Sequence, residues 1–228
     1  IHTIRGKIDF FEILQFRDLG LEDYYDFLNL GVKLAAAAGS DLPWGASIGE
    51  VRTYAYTGRD FSPDAWFGAV KQGRTFVTNG PMLALTVNGA MPGGTVRVKR
   101  NATVRIRARA WAPEAIGAPK TLEIVAHGRV IRAVEARGPG QSHLELQLDQ
   151  RGGESQWIAA RVTASNGAVA HSSPVYMLVE DESFADRKQL PQIVERRLKV
   201  LDFIGARLLD RNFTRSYAAG EVDALAAR

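Results

Sequence analysis

The sequence predicts an α/β section, then an all-β antiparallel sandwich, then an amphipathic helix. Three observations carry this reading. Up to about residue 83, short apolar runs alternate with helical patterns, which is βα grammar. From about 84 to 180, short alternating runs recur between turn signals such as Asn88-Gly89 and Asn166-Gly167, which is hairpin grammar. From 181 to 228, apolar residues return at helical spacing. The expected segments are therefore 1–83, 84–180 and 181–228.

The chain opens with KIDFFEILQF, Lys7 to Phe16, a short Ile- and Phe-rich strand carrying Glu12. A helix follows Gly20, with Glu22, Asp23 and Asp26 toward its positive N-terminal end and Leu21, Tyr24, Tyr25 and Leu28 on its apolar face. Val32 to Ala38 is apolar without alternation, as in a strand buried on both faces. Strand, helix and strand make a βαβ unit with parallel strands. After a loop through Pro43, Gly45 and Gly49, Val51 to Tyr56 reads as a strand. Ser62 caps a helix opened by Pro63, and Thr75 to Thr78 is a strand stopped by Asn79-Gly80-Pro81. These strands are too few to close a barrel.

Sandwich strands are expected over 83–87, 95–98, 103–111, 121–126, 130–135, 143–148, 156–164 and 168–179. Ser183 and Asp186 then have the spacing of a capping box, and Leu190, Ile193, Val194, Leu198, Leu201, Ile204 and Leu208 define a long helix packed on the rest. Pro191 belongs to its first turn or kinks it. The Ala-rich end beyond Tyr217 reads as a short helix or a tail.

Composition excludes several functions. With 228 residues, 46% hydrophobic and 24% charged, the chain can bury a real core. It has no cysteine, which removes disulfides, thiolate zinc sites and thiol nucleophiles and leaves the compartment open. A net charge of +4 is too small to imply nucleic acid. No apolar run is long enough to span a membrane, and the chain is expected to be soluble. It begins at Ile1, not at a methionine, and enters structure almost at once, so a mature or truncated piece of something longer is expected; localisation stays open, export with a leader outside this sequence being one alternative.

Asp41 follows the buried strand at its carboxyl end, where parallel sheets collect metal and catalytic groups. Gly39-Ser40-Asp41 also fits a plain turn in which the Asp bonds its own backbone, and local pattern leaves both readings open. Arg105, Arg107 and Arg109 share one strand face, which suits either anionic phosphate or sugar or simple solvation. His2, His127, His143 and His171 lie too far apart for a local zinc motif. No nucleophile elbow, phosphate-binding loop or dinucleotide fingerprint is present.

The order GKIDFFEILQF, DYYDFLNLGVKLAAAAGSD, GEVRTYAY, GRTFVTNGPMLALTVNGAMPG and AHSSPVYMLVED resembles the carbaryl-hydrolase-like (CehA/McbA) branch of the PHP-type metallohydrolases. The likeness covers most of residues 6 to 95 and returns near 170. It implies the end of a distorted β/α barrel followed by an immunoglobulin-like sandwich. In the complete parent it implies divalent metals, zinc or manganese, that activate water against an ester, amide, carbamate or phosphoester. Asp41 matches the late Gly-Ser/Thr-Asp ligand motif, and Glu12 lies where the family often has an acid, as a ligand or as a hydrogen-bond acceptor behind one. Arg52 and Asn79 lie on segments that approach the barrel mouth, either for a small-molecule substrate or for holding loops together.

The chain departs from the family in lacking its early His-x-His pair, and it has Pro43 where many members have His. The expectation is therefore a C-terminal part that is inactive and holds no metal tightly without the missing N-terminal part of the barrel. The alternative is a non-enzymatic glycan- or protein-binding sandwich on a degenerate barrel.

Overall fold

The computed structural model describes residues 2–15, 18–43, 47–59 and 61–209. The chain divides into two compact units, Ile1–Asp186 and Arg187–Arg228.

The first unit begins with β1 (Phe10–Gln15), β2 (Asp18–Leu19), α1 (Glu22–Asn29) and β3 (Ala35–Gly39). β1 and β3 pair in parallel, so the expected βαβ unit forms, and β2 adds a short antiparallel edge in the order β2-β1-β3. Glu22 and Asp23 lie in the first turn of α1, while Tyr24 and Leu28 are buried beneath it.

β4 (Arg52–Ala55), α2 (Pro63–Lys71) and β5 (Thr75–Thr78) follow. Ser62 Oγ accepts the Ala65 N–H at 3.1 Å, the cap expected from sequence. The pairing of these strands differs from the βα pattern, because β4 and β5 are antiparallel neighbours and β5 also bonds a strand of the sandwich. The change of pattern near residue 83 is thus no break in the sheet. Within the section up to residue 83, the one parallel pair among the described residues, β1/β3, does not define a barrel segment.

The remaining strands are β6 (Met82–Val87), β7 (Thr95–Val98), β8 (Thr103–Trp111), β9 (Pro119–Ala126), β10 (Arg129–Glu135), β11 (His143–Arg151), β12 (Gln156–Ala164), β13 (Val169–Ser172) and β14 (Val175–Val179). A narrow sheet, β11-β8-β6, faces a wide sheet, β10-β9-β12-β13-β5-β4, in which β14 pairs β12 and β7. This division is that of an immunoglobulin-like sandwich. Along β8, Val104, Ile106, Ala108 and Ala110 point inward and the arginines outward, as strict alternation requires. The single strand expected over 168–179 is two strands, since Pro174 offers no N–H to continue the ladder. The pairing of β7 with β14 is parallel, not antiparallel.

Two cores result. One lies between the sheets and includes Leu85, Ile106, Leu122, Ile158 and Met177. The other lies on the opposite face of the wide sheet, where Val125, Trp157, Ala159 and Tyr176 meet Ile13, Leu14, Tyr24 and Leu34. The wide sheet is therefore buried on both faces at β12. Trp157 Nε1 donates to Asn29 Oδ1 at 2.6 Å, which satisfies the one polar atom of a fully buried indole.

β3 meets the wide sheet without a ladder. The Ala36 N–H donates to Ser173 Oγ (2.7 Å), Thr75 Oγ1 donates to the Ala36 carbonyl (2.8 Å), and the Ala38 N–H donates to Thr53 Oγ1 (2.8 Å).

The second unit contains α3 (Leu190–Leu209), with Pro191 in its first turn as expected. Its apolar Leu198, Leu201 and Ile204 are about half exposed. Ser183 does not cap it: its Oγ accepts the Ala185 N–H, and the Asp186 carboxylate takes Arg129 Nη2 at 2.6 Å. The tail expected beyond Tyr217, and Phe16 at the end of the first expected strand, lie outside the described residues.

Candidate functional site

Parallel pairing sends the carboxyl ends of β1 and β3 to the same side of the small sheet. Glu12 pairs with Ala37, and its carboxylate lies over the end of β3, so close that a Cβ on Gly39 would meet it at 2.8 Å. Asp41 follows two residues later, exposed and with a left-handed φ of 48°. Such a backbone is the turn conformation that Asp tolerates. Among the described residues, no group of three or more His, Cys, Asp or Glu side chains comes together to hold a metal ion. Glu12 and Asp41 alone fall short of the roughly three protein ligands of a catalytic centre. The described residues therefore do not fit a catalytic metal.

Arg52 and Asn79 come together elsewhere, on the wide sheet, since Arg52 opposes Thr78. Arg52 Nη1 donates to the Gly49 carbonyl at 3.0 Å, while its Nε is buried without a partner. Asn79 Oδ1 accepts the Val169 N–H at 2.7 Å, and the Asn79 N–H donates to the Val169 carbonyl at 3.2 Å. These contacts fasten the Asn79-Gly80-Pro81 loop to β13.

His171 is fully buried with both ring nitrogens occupied. Nδ1 donates to the Ser172 carbonyl (2.7 Å), which leaves Nε2 to accept from the Tyr25 hydroxyl (2.7 Å). Burial, with a smaller push from the Arg161 charge, lowers its pKa from 6.5 to about 4, although the Ser172 contact opposes the shift. Burial likewise raises the Tyr25 hydroxyl far above its ordinary value. His127 is buried with Nε2 at 2.8 Å from the Phe184 carbonyl. Both rings serve the packing of α1 and the 184–186 segment against the wide sheet.

Two of the concave surfaces of the first unit lie on either side of β6: an inner cavity where the sequence offered no candidate, and an outer groove on the arginine face of β8 for which it offered either anion binding or simple solvation. Inside, a cavity of about 320 Å³ is lined by Tyr54, Phe76, Leu83, Leu85, Met91 and Pro92. It exists because β5 and β4 extend the wide sheet beyond the narrow one, so that Phe76 and Tyr54 have no strand opposite them. Their rings stack at 5.0 Å with 3° between planes. Outside, a shallow groove of about 550 Å³ is lined by Thr86, Arg107, Arg109, Glu145 and Gln147. Within it Arg109 pairs with Glu145 (3.4 Å), and farther along the same two strands Arg105 pairs with Asp149 (3.3 Å). Arg107 lies between Gln147 and Thr86 and has no acidic partner among the described residues. Tyr54 and Tyr56, two positions apart in an extended segment, are the sequence signal that the inner cavity leaves.

No family profile and no curated protein matches the chain. Among solved structures, it is similar in part to the fibronectin(III)-like modules of Clostridium thermocellum CbhA, at 19% identity over 43% of this chain and 96% of that one, with a TM-score of 0.31. It is also similar to a CARDB domain from Pyrococcus furiosus, at 14% identity over 44% and 97%, with a TM-score of 0.30. A third is a superoxide reductase from Ignicoccus hospitalis, at 16% identity over 50% and 94%, with a TM-score of 0.28. Likenesses this slight decide nothing, and the sandwich rests on its own ladders. No helix among the described residues is long and apolar enough to cross a membrane.

Proposed function

We propose that this chain acts as a non-catalytic, protein-binding β-sandwich module joined to a small α/β unit. The observation that carries this reading is the pair of concave surfaces flanking β6, one apolar and aromatic, one polar with an arginine that has no acidic partner. Apolar contact area beside a few placed polar groups is what a binding surface needs. The test is turnover: the chain incubated with zinc or manganese should hydrolyse p-nitrophenyl acetate and bis(p-nitrophenyl) phosphate no faster than buffer containing the same metal. Metal-dependent turnover by the chain would overturn the module reading.

A second reading is favoured by the parallel β1/β3 pair with Glu12 and Asp41 toward its carboxyl ends, together with the motifs shared with the PHP-type hydrolases. In it, the chain is the C-terminal part of a metal-dependent hydrolase, and a segment outside this sequence supplies the remaining ligands and barrel strands. Asp41→Asn in such a longer protein keeps the turn and removes the charge a divalent cation requires. Metal content and activity falling together would support this reading, and both staying at wild-type level would remove Asp41 from it.

A further inference from the structure

Resting on the module reading, the partner can be narrowed. β6 is an edge strand: it pairs with β8 on one side and with no strand on the other among the described residues. The parity of its ladder is fixed by the Asn88 N–H, which donates to the Arg105 carbonyl at 2.8 Å. Hydrogen-bonded positions alternate in an antiparallel ladder, so Thr86, Ala84 and Met82 bond β8. Leu83 and Leu85 therefore present their N–H and C=O groups to the open side, whereas those of Val87 are taken by Ala90.

Edge strands are commonly guarded by charge or proline. β10 and β11 follow that rule with Arg129, Arg132, Glu145 and Asp149, but β6, MLALTV, carries neither. A strand added beside β6 would extend the narrow sheet over the overhanging β5 and β4. Its residues opposite Leu83 and Leu85 would point into the cavity over Phe76 and Tyr54, whose volume of about 320 Å³ holds a few apolar side chains and no more. Its alternate residues would point outward beside Ala84 and Thr86, both small. Over them Arg107 can reach a carboxylate on the new strand, two strand spacings or about 10 Å away.

We infer that the β6 edge receives an extended peptide segment of a partner protein by strand addition, with apolar residues facing Tyr54 and Phe76 and acidic residues facing Arg107. Main-chain bonds to Leu83 and Leu85 supply affinity, and the alternation supplies specificity. Self-pairing of β6 between two copies fits less well, because MLALTV has no carboxylate to offer Arg107.

The test uses the full chain and a capped nine-residue peptide alternating valine and glutamate. Calorimetry should show one-to-one binding, and amide exchange should slow at Leu83 and Leu85. N-methylation of the peptide amides that face β6 should abolish binding, while N-methylation on the opposite edge should leave it. Arg107→Gln, or lysine for glutamate in the peptide, should weaken binding by about tenfold or more. No binding, equal binding of a composition-matched peptide with its valines in one block, or unprotected Leu83 and Leu85 amides at saturation would overturn the proposal. Concentration-dependent protection of those amides without peptide would overturn it in favour of a second copy of the chain. None of these results touches the hydrolysis test, so the module reading and the partner assignment fail separately.

Discussion

His171 shows how one buried side chain ties stability to pH. Its folded pKa of about 4 lies below the 6.5 of a free imidazole, so between these values the unfolded chain binds a proton that the folded chain does not. Its contribution is full above about pH 6.5 and is lost as pH falls toward 4, by roughly 3 kcal/mol in all. Urea midpoints measured from pH 7.5 to 4 should therefore fall more steeply for the wild type than for His171→Gln, which keeps a polar side chain but no titration. Equal slopes would mean that the ring takes up its proton as readily in the folded chain as in the unfolded one. In the sequence, His171 was only one of four scattered histidines. Its role depends on Tyr25, 146 positions away, and no spacing rule reaches that far.

At the scale of elements, local signals were legible wherever the residue itself makes the structure. Ser62 and Pro63 start α2, Gly31 follows the end of α1, and the Val104–Ala110 alternation fixes β8. Pairing partners were not legible, because βα grammar is silent on whether β5 will bond β13 or a parallel neighbour. The turn from β6 to β7 shows the same contrast between two glycines. Gly89 and Gly93 both have positive φ, but a Cβ at Gly89 meets open space, while one at Gly93 would lie 1.9 Å from the Gln72 carbonyl oxygen. Gly89→Ala should cost roughly 1 kcal/mol for backbone strain alone. Gly93→Ala should cost about 3 kcal/mol or more, because backbone at the end of α2 must move. Thermal unfolding of the two variants side by side checks this, and similar midpoints would show that the 91–94 turn is not packed on α2.

For the molecule as a whole, the sandwich was legible from hairpin signals, but its fusion with the α/β section was not. That fusion is made by the outer face of the wide sheet, where Val125, Trp157, Ala159 and Tyr176 are buried by β1, α1 and β3. A fragment of residues 84–186, cut where the sequence pattern changes, should therefore lose its near-UV circular dichroism and bind a hydrophobic dye, whereas residues 2–186 should unfold in one transition. A native-like spectrum from the shorter piece would show that the second core is dispensable. The candidate site was the least legible part, since the cavity beside β6 arises from an overhang that only the pairing of β4 and β5 creates. The contact of β3 with the wide sheet has its own consequence. β3 runs through Ala35, Ala36, Ala37 and Ala38, four identical residues that would look the same to a neighbour after a slip along the chain. Of the four alanines, Ser173 and Thr75 bond Ala36 alone and Thr53 bonds Ala38 alone, so the three hydroxyls work as the pins of a lock for a strand that carries no teeth of its own.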